Sequence, residues 1–284
     1  MDNKSCVRIY GVLGFPAKHS LSPLMHNAAF HALQINAEYK IFEIEPGNLE
    51  DFISSLSVNS ILGLNVTIPY KEKVLPLLNT VSRESELIGA VNTIRVSVTK
   101  LEGFNTDGEG FLRHLGEDLK FDPQNKTIAI IGAGGAAKAI AVYLSKNKPK
   151  AIGVYDIDKS KSQDLVMHLK QNFSNIEFNA ADSPDGLRIL DTDMLINATP
   201  IGMKDSDPLP VDGKFIQKNL LVYDVIYNPK ETKLLTLAKQ KGCLCSNGLG
   251  MLLYQGARSF ELWTGKPAPV EIMREALNKG VNKI

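Results

Sequence analysis

The chain has 284 residues, long enough for two domains of ordinary size, and its 44% apolar and 22% charged residues are those of a globular protein. Its 32 lysines and arginines against 31 aspartates and glutamates are interspersed and leave a net charge of +1, so no bulk field recruits nucleic acid or an acidic membrane. No run approaches the roughly 18–20 apolar residues that cross a bilayer, and the start of the chain lacks an apolar core behind basic residues, so neither a membrane partner nor a signal peptide is expected.

Residues 8–13 read as a first strand, ending in a loop over 14–23. A helical pattern follows, with Leu24, Ala28 and His31 on one side and an end before Asn36. Further strands are predicted over 39–44, 61–67 and 91–98, and short helices over 49–56, 70–78 and 83–88. A second series has strands over 127–131, 151–155, 176–179, 194–197 and 220–226, and the remainder, 251–263 and 270–277, is helical. Strands alternating with helices argue for mostly parallel sheets covered on both faces. The fold class is therefore α/β, with a discontinuous domain (1–106 and 250–284), a continuous doubly wound domain (107–249) and a cleft between them. Cys6, Cys243 and Cys245 lack the spacing of a disulfide framework. His19, His26 and His31 lack the spacing of a metal site, so a reducing cytoplasm and no metal are expected.

The second series opens with Thr127-Ile-Ala-Ile-Ile-Gly-Ala-Gly-Gly-Ala-Ala-Lys138, a strand running into glycines and then into a helix. That context gives a G-x-G-x-x-G/A pattern its meaning. Gly132 makes the turn, Gly134 lets backbone approach a pyrophosphate, and Ala137 is the small residue where helix and strand pack closely. The helix start beside Gly135 and Ala136 directs N–H groups and partial positive charge at phosphate. Asp156, at the end of the next apolar run, stands about where a ribose-binding carboxylate is expected. The alternatives are a loop that only joins strand to helix, or a methyltransferase-type loop that binds adenosine. The preferred reading is a Rossmann dinucleotide site.

Several polar residues sit at strand ends. Ser22 before Pro23 has the form of a helix N-cap, while Ser20 and Ser22 together form a hydroxyl pair suited to a carboxylate. Lys71 follows the strand ending in Asn65-Val-Thr67 and reads, alone, as a solvated lysine. Asp107 alone reads as a helix N-cap, and Asn92 as a polar residue on an exposed strand face.

Together these pieces are more specific. Gly14-Phe-Pro-Ala-Lys-His-Ser-Leu-Ser-Pro-Leu-Met-His-Asn27, Asn65-Val-Thr-Ile-Pro-Tyr-Lys71, Gly89-Ala-Val-Asn-Thr93 and Gly103-Phe-Asn-Thr-Asp107 occur in that order. They are followed by Gly132-Ala-Gly-Gly-Ala136, Asn197-Ala-Thr-Pro-Ile-Gly-Met203, Asp224-Val-Ile-Tyr-Asn-Pro229 and Asn247-Gly-Leu-Gly-Met-Leu-Leu-Tyr-Gln-Gly256. Over nearly its whole length the chain resembles the shikimate dehydrogenase family. The resemblance implies a nicotinamide-dependent oxidoreductase interconverting 3-dehydroshikimate and shikimate, a small-molecule substrate, and a monomer or homodimer. It implies Lys71 and Asp107 as the catalytic pair and Ser20 and Ser22, with Tyr227 nearby, on the substrate carboxylate. Thr67, Asn92 and Gln255 join that pair on the ring hydroxyls, and Gln255 requires its segment to be packed beside Lys71 and Asp107. Gly132, Gly134, Gly135, Ala136, Asp156, Thr199, Met203, Gly248 and Met251 are implied on the cofactor. The rivals are a quinate/shikimate dehydrogenase working in the catabolic direction and a non-catalytic nucleotide sensor, which would have no use for an acid/base pair. One departure stands out. Many family members that use NADP carry Asn-Arg-Thr after the second strand of the nucleotide domain, whereas this chain has Tyr155-Asp-Ile-Asp-Lys159. A carboxylate near the ribose 2′ position opposes a 2′-phosphate, so NAD is expected to be favoured over NADP.

Overall fold

The computed structural model of the protein describes residues 7–281. They form two compact α/β units, one made of the described residues up to Gly110 and from Leu252 on, the other of Phe111–Met251.

The first unit holds strands β1 (Arg8–Gly14), β2 (Ala37–Glu43), β3 (Ile61–Val66), β4 (Thr80–Val81), β5 (Thr93–Val96) and β6 (Leu101–Phe104). Its helices begin with α1 (Ser22–Ala32), α2 (Leu49–Ser54) and α3 (Arg83–Ile88). The strands form one sheet in the order β2-β1-β3-β5-β6-β4. β1 is parallel to β2 and β3, as expected, but β5 is antiparallel to both β3 and β6. The sheet is therefore mixed, and the predicted strand over 91–98 is one arm of a hairpin. Ser97 N–H donates to Lys100 O at 2.9 Å and turns the chain, and Val98 stands 94% exposed at the tip. The helix predicted over 70–78 is also absent. Only a 3₁₀ turn forms, at Leu75–Leu77, because Pro76 lacks the N–H that would continue a helix and its ring obstructs the preceding turn.

Both faces of this sheet are covered. Leu13, Leu64, Val66 and Ile94 pack with Ile53 and Leu56, on and beside α2, in one buried cluster. The opposite face meets Trp263, whose indole N–H donates to Ile94 O at 3.0 Å over Gly63, where any side chain would collide with the ring. Period-two alternation does this sorting: Leu64 and Val66 face α2, while Gly63 and Asn65 face the other way.

Helix α4 (Asp107–Glu117) leads into the second unit, whose strands are β7 (Thr127–Ile131), β8 (Ala151–Tyr155), β9 (Glu177–Ala180), β10 (Met194–Asn197), β11 (Leu221–Asp224) and β12 (Leu244–Ser246). All pair in parallel, in the order β12-β11-β10-β7-β8-β9, with α5 (Gly135–Lys146), α6 (Lys159–Asn172) and α7 (Lys233–Gln240) between them. That is the doubly wound dinucleotide fold, and its strand order reverses between β7 and β10. Helices α8 (Leu249–Thr264) and α9 (Val270–Val281) complete the chain. Among the described residues no helix is long and apolar enough to cross a membrane.

β10 and β11 end side by side on Asn197 and Asp224. The fully buried Asp224 carboxylate accepts from Asn197 Nδ2 at 3.1 Å, Ile226 N at 3.1 Å and the Thr232 hydroxyl at 2.7 Å. It ties together two strand ends and the N-terminus of α7, whose N-cap is Thr232. No cation offsets its burial, which raises its pKa from the usual 3.8 to about 6. The folded value lies above the unfolded one, so the native state holds the extra proton between them. The associated stability is present below the unfolded pKa and is lost as pH rises through about 6. Urea unfolding at pH 4 and pH 7 tests this against Asp224→Asn. The wild type should lose about 2 kcal/mol more than the variant over that interval, and equal slopes would place the charge elsewhere.

Candidate active site

The loops after β1 and β3 leave adjacent parallel strands at the same edge of the first sheet. They are stitched together by Thr67 N–H to Leu13 O at 2.9 Å and Phe15 N–H to Ile68 O at 3.1 Å. The antiparallel pairing sets Asn65 opposite Thr93, so Asn92, just before β5, arrives at this edge too. β6 ends there and passes through Asn105 and Thr106 into α4, whose first residue is Asp107. Three loops and a helix start thus converge outside the carboxyl end of β3, where ligands bind in α/β sheets.

At this point Lys71 Nζ donates to Asp107 Oδ2 at 2.5 Å, with the lysine side chain 18% exposed and the aspartate 7%. Asp107 Oδ1 accepts from Asn92 Nδ2 at 2.8 Å, and the same amide nitrogen lies 3.3 Å from Gln255 Oε1 on α8. Asn92 Oδ1 accepts from Thr106 N at 2.8 Å, and since that amide can only donate, the Asn92 orientation is determined. Lys71, Asn92, Asp107 and Gln255 are therefore brought into one bonded cluster. Read singly, Lys71 was a solvated lysine and Asn92 an exposed strand residue. The fold instead buries most of the lysine side chain and all but 3% of the asparagine.

Ser22 is the first residue of α1, with Leu21 in the capping position, Pro23 inside the first turn and no side-chain cap bond. The capping reading of Ser22 is thereby corrected: Leu21 has helical backbone angles, so the helix begins one residue earlier than a Ser22 cap requires. The Ser22 side chain is buried, and Ser22 N–H donates to Ser20 Oγ at 3.3 Å. Ser20 lies in the loop bound to the Thr67 segment, and Ser22 stands where that loop enters α1. Further back, His26 stacks on Tyr39 at 4.4 Å between ring centres, and Asn27 exchanges two hydrogen bonds with the Tyr39 backbone, at 2.8 and 3.1 Å. Neither ring nitrogen of His26 has a hydrogen-bond partner, and full burial lowers its pKa to about 3. The imidazole is a neutral packing group.

The remaining expected contacts lie on the second unit. Gly132 has φ +102°, and a Cβ there would stand 2.9 Å from Ala198 O, so glycine is required on both counts. A Cβ on Gly134 would meet no atom within 4 Å, and α5 starts beside it at Gly135 and Ala136 without a side-chain cap. Open space in front of uncapped helix N–H groups fits a diphosphate. Thr199 donates its hydroxyl to Asn197 Oδ1 at 2.7 Å, and Met203 is more than half exposed in the turn that follows. Gly248 is pressed against the backbone of Val225, with its N–H on Ile226 O at 3.2 Å, and Met251 is buried. Tyr227 stands half-buried in the segment after β11, and burial raises its pKa. Asp156 Oδ2 accepts from Ala133 N at 2.7 Å and Oδ1 from Asp158 N at 2.9 Å, so both oxygens hold backbone. Asp158 is the N-cap of α6.

Sequence reasoning assigned no role to Thr93, Thr106 or Ser259, which line the inner side of the Asn92 cluster. Thr93 and Thr106 stand inside the recognised motifs, whereas Ser259, on an apolar helix, carried no signal.

A family model described as the shikimate dehydrogenase substrate binding domain matches residues 12–94, and one described as the shikimate 5'-dehydrogenase C-terminal domain matches 248–277. Residues 128–206 match a saccharopine dehydrogenase NADP binding domain. A shikimate dehydrogenase (NADP(+)) of Methanopyrus kandleri is 44% identical over 275 residues, covering 95% of this chain and 94% of the relative. A crystal structure of shikimate dehydrogenase in complex with NADP+ superposes with a TM-score of 0.90 at 37% identity, covering 97% of this chain and 96% of the other. The Thermus thermophilus enzyme in complex with NADP(H) and shikimate gives 0.87 at 31% identity, covering 96% and 100%. The expected preference for NAD is overturned by these findings, since curated relatives 36–44% identical all carry NADP(+) in their names. Asp156 accepts from the amides of Ala133 and Asp158 and so serves the glycine turn, and its place after β8 is accounted for without a ribose contact. With fold, motif order and full-length likeness in agreement, the chain belongs to the shikimate dehydrogenase family.

Proposed function

We propose that Lys71 and Asp107 are the working pair of this shikimate dehydrogenase and that NADP(H) is its cofactor. The observation that carries the proposal is the ion pair itself, at 2.5 Å and largely withdrawn from water, with the second carboxylate oxygen taken by Asn92. Reduction of the 3-dehydroshikimate ketone leaves negative charge on oxygen, and a fixed ammonium stabilises that charge and delivers the proton. In oxidation Lys71 takes the hydroxyl proton back. An ammonium about 4 Å from an alkoxide gains on the order of 4 kcal/mol at an effective dielectric of 20, equivalent to roughly a thousandfold in rate. Asp107 holds the ammonium in place.

Ser20 and Ser22 bind the substrate carboxylate. The place of Ser22 as the first residue of α1, with Leu21 rather than Ser22 in the capping position, supports this, because capping is not the role of its hydroxyl. Thr67, Asn92 and Gln255 meet ring hydroxyls, and Tyr227 is a further proposed substrate contact. Gly132, Gly134, Gly135, Ala136, Thr199, Met203, Gly248 and Met251 hold the dinucleotide, while Asp156 holds the glycine turn in shape. When bound, the nicotinamide supplies or accepts the hydride. A reducing cytoplasm is the proposed setting, which the free thiols of Cys243 and Cys245 support.

Lys71→Ala should lower kcat by about a hundredfold or more with a modest change in KM for shikimate, and a near-normal kcat would remove Lys71 from the chemistry. Ser22→Ala should raise KM for shikimate about tenfold, the loss of one hydrogen bond to a charged group, with a smaller effect on kcat. If thermal stability falls while kinetics stay intact, the hydroxyl has only a structural role. The wild type should show higher kcat/KM with NADP+ than with NAD+, and the reverse order would remove NADP(H) from the proposal.

A further inference from the structure

Behind the Lys71–Asp107 pair lies a second layer of polar side chains that meets no solvent. Thr93 and Ser259 are fully buried, Thr106 and Tyr39 are 2% exposed, and Asn65 is 5% exposed. All belong to the sheet face covered by α8. In such a setting each proton must go to a defined acceptor, and counting them leaves few choices.

The count begins at Tyr39, held by Asn27 and His26. Its hydroxyl is 2.8 Å from Asn65 Oδ1, an acceptor only, so the tyrosine donates and the Asn65 oxygen must face it. Asn65 Nδ2 then points the opposite way, 2.9 Å from Ser259 Oγ and 3.1 Å from Thr93 Oγ1. Ser259 has its own acceptor, Gln255 O at 2.9 Å. Thr93 Oγ1 accepts from Asn65 Nδ2 and lies 2.8 Å from Ser259 Oγ, where either hydroxyl can donate, while toward Asn92 Oδ1, 2.9 Å away and an acceptor only, Thr93 is the donor. Asn92 Oδ1 is thus gripped by Thr93 from one side and by Thr106 N from the other. That double grip fixes the plane in which Asn92 Nδ2 reaches Asp107 Oδ1.

We infer that Thr93 is a positioning residue of the reaction, acting through Asn92 on Asp107 and so on Lys71, with its proton directed by Tyr39 and Asn65. The inference rests on the proposed role of the Lys71–Asp107 pair. Thr93 is fully buried behind Asn92. It determines whether the Asn92 amide holds the carboxylate square to the ammonium, and loose support of a reacting group by well under 1 Å is expensive in rate. Cooperative ordering along the chain of donors adds to the effect of the single bond.

Thr93→Val keeps the shape of the side chain and deletes its proton. Thr93→Ser keeps the proton and deletes a methyl. The valine variant is expected to lose about tenfold in kcat while KM for shikimate changes less than about threefold, and the serine variant to recover most of the wild-type kcat. A mere packing role predicts the opposite ranking, since valine fills the site and serine leaves a gap. Valine kcat equal to wild type, or serine as impaired as valine, would overturn the inference. Should Thr93→Val fold poorly by thermal melting, Tyr39→Phe removes the first proton of the same relay. It should lower kcat more than it raises KM, and unchanged kcat there overturns the inference equally. A wild type that does not oxidise shikimate overturns the functional reading together with this inference. That outcome is distinct from the case in which the wild type and Lys71→Ala behave as proposed and the Thr93 variants do not.

Discussion

An ammonium and a carboxylate share a nearly dry site only if their remaining hydrogen-bonding capacity is met, because an unpaired charge out of water costs several kcal/mol. The Lys71–Asp107 pair satisfies that condition through one amide, Asn92, on the second carboxylate oxygen. Much of the first unit follows from bringing Asn92 there. β5 runs antiparallel to β3, so the residue before it reaches the edge where β1 and β3 end, and the β5–β6 hairpin returns the chain to that edge ahead of Asp107. A wholly parallel sheet would deliver the start of β5 to the opposite edge. The antiparallel pair is thus what assembles the site.

The same requirement reaches outward. Asn92 is gripped by Thr93 and Thr106, Thr93 meets Asn65 and Ser259, and Asn65 is held by Tyr39. Tyr39 is in turn clamped by His26 and Asn27 on α1, the helix that Ser22 begins. A single polar relay therefore spans β2, β3, β5 and α8, and explains why a histidine with no hydrogen bond is tolerated in this core. Its ring stacks on the residue that starts the relay, and neutrality is the condition of its burial.

In the second unit a comparable economy operates on backbone. Asp156 closes the glycine turn by accepting from Ala133, and Asp224 joins the ends of β10 and β11 to α7. Asp156 looks, in sequence, like a candidate for ligand contact. Both carboxylates accept hydrogen bonds from the protein itself. The misjudged cofactor preference has this origin, since spacing located Asp156 correctly at the end of β8 but gave no account of its hydrogen bonds.

By itself the sequence determined the alternation of strands and helices and the doubly wound second unit, because these depend on local periodicity, which is written along the chain. Lys71, Asp107, Asn92 and Gln255 were pointed to only by the ordered motifs of the family resemblance, since none of them, read singly, suggests more than an ordinary structural role. Pro76 is the local signal that forbids the helix across 70–78, lying beneath an otherwise helical pattern. Tertiary structure decided what depends on residues distant in sequence. Strand direction in the first sheet required the Ser97–Lys100 turn and the partners of β5. Ser22 lost its capping role because the backbone of Leu21 entered the helix first. Asp156 lost its free oxygens to two amides, and Ser259 acquired a role only because α8 lies 194 residues away from Asn65 in sequence yet against it in space. A side chain's chemistry is encoded locally, but whether its donors and acceptors are free or already engaged is a property of the packed molecule.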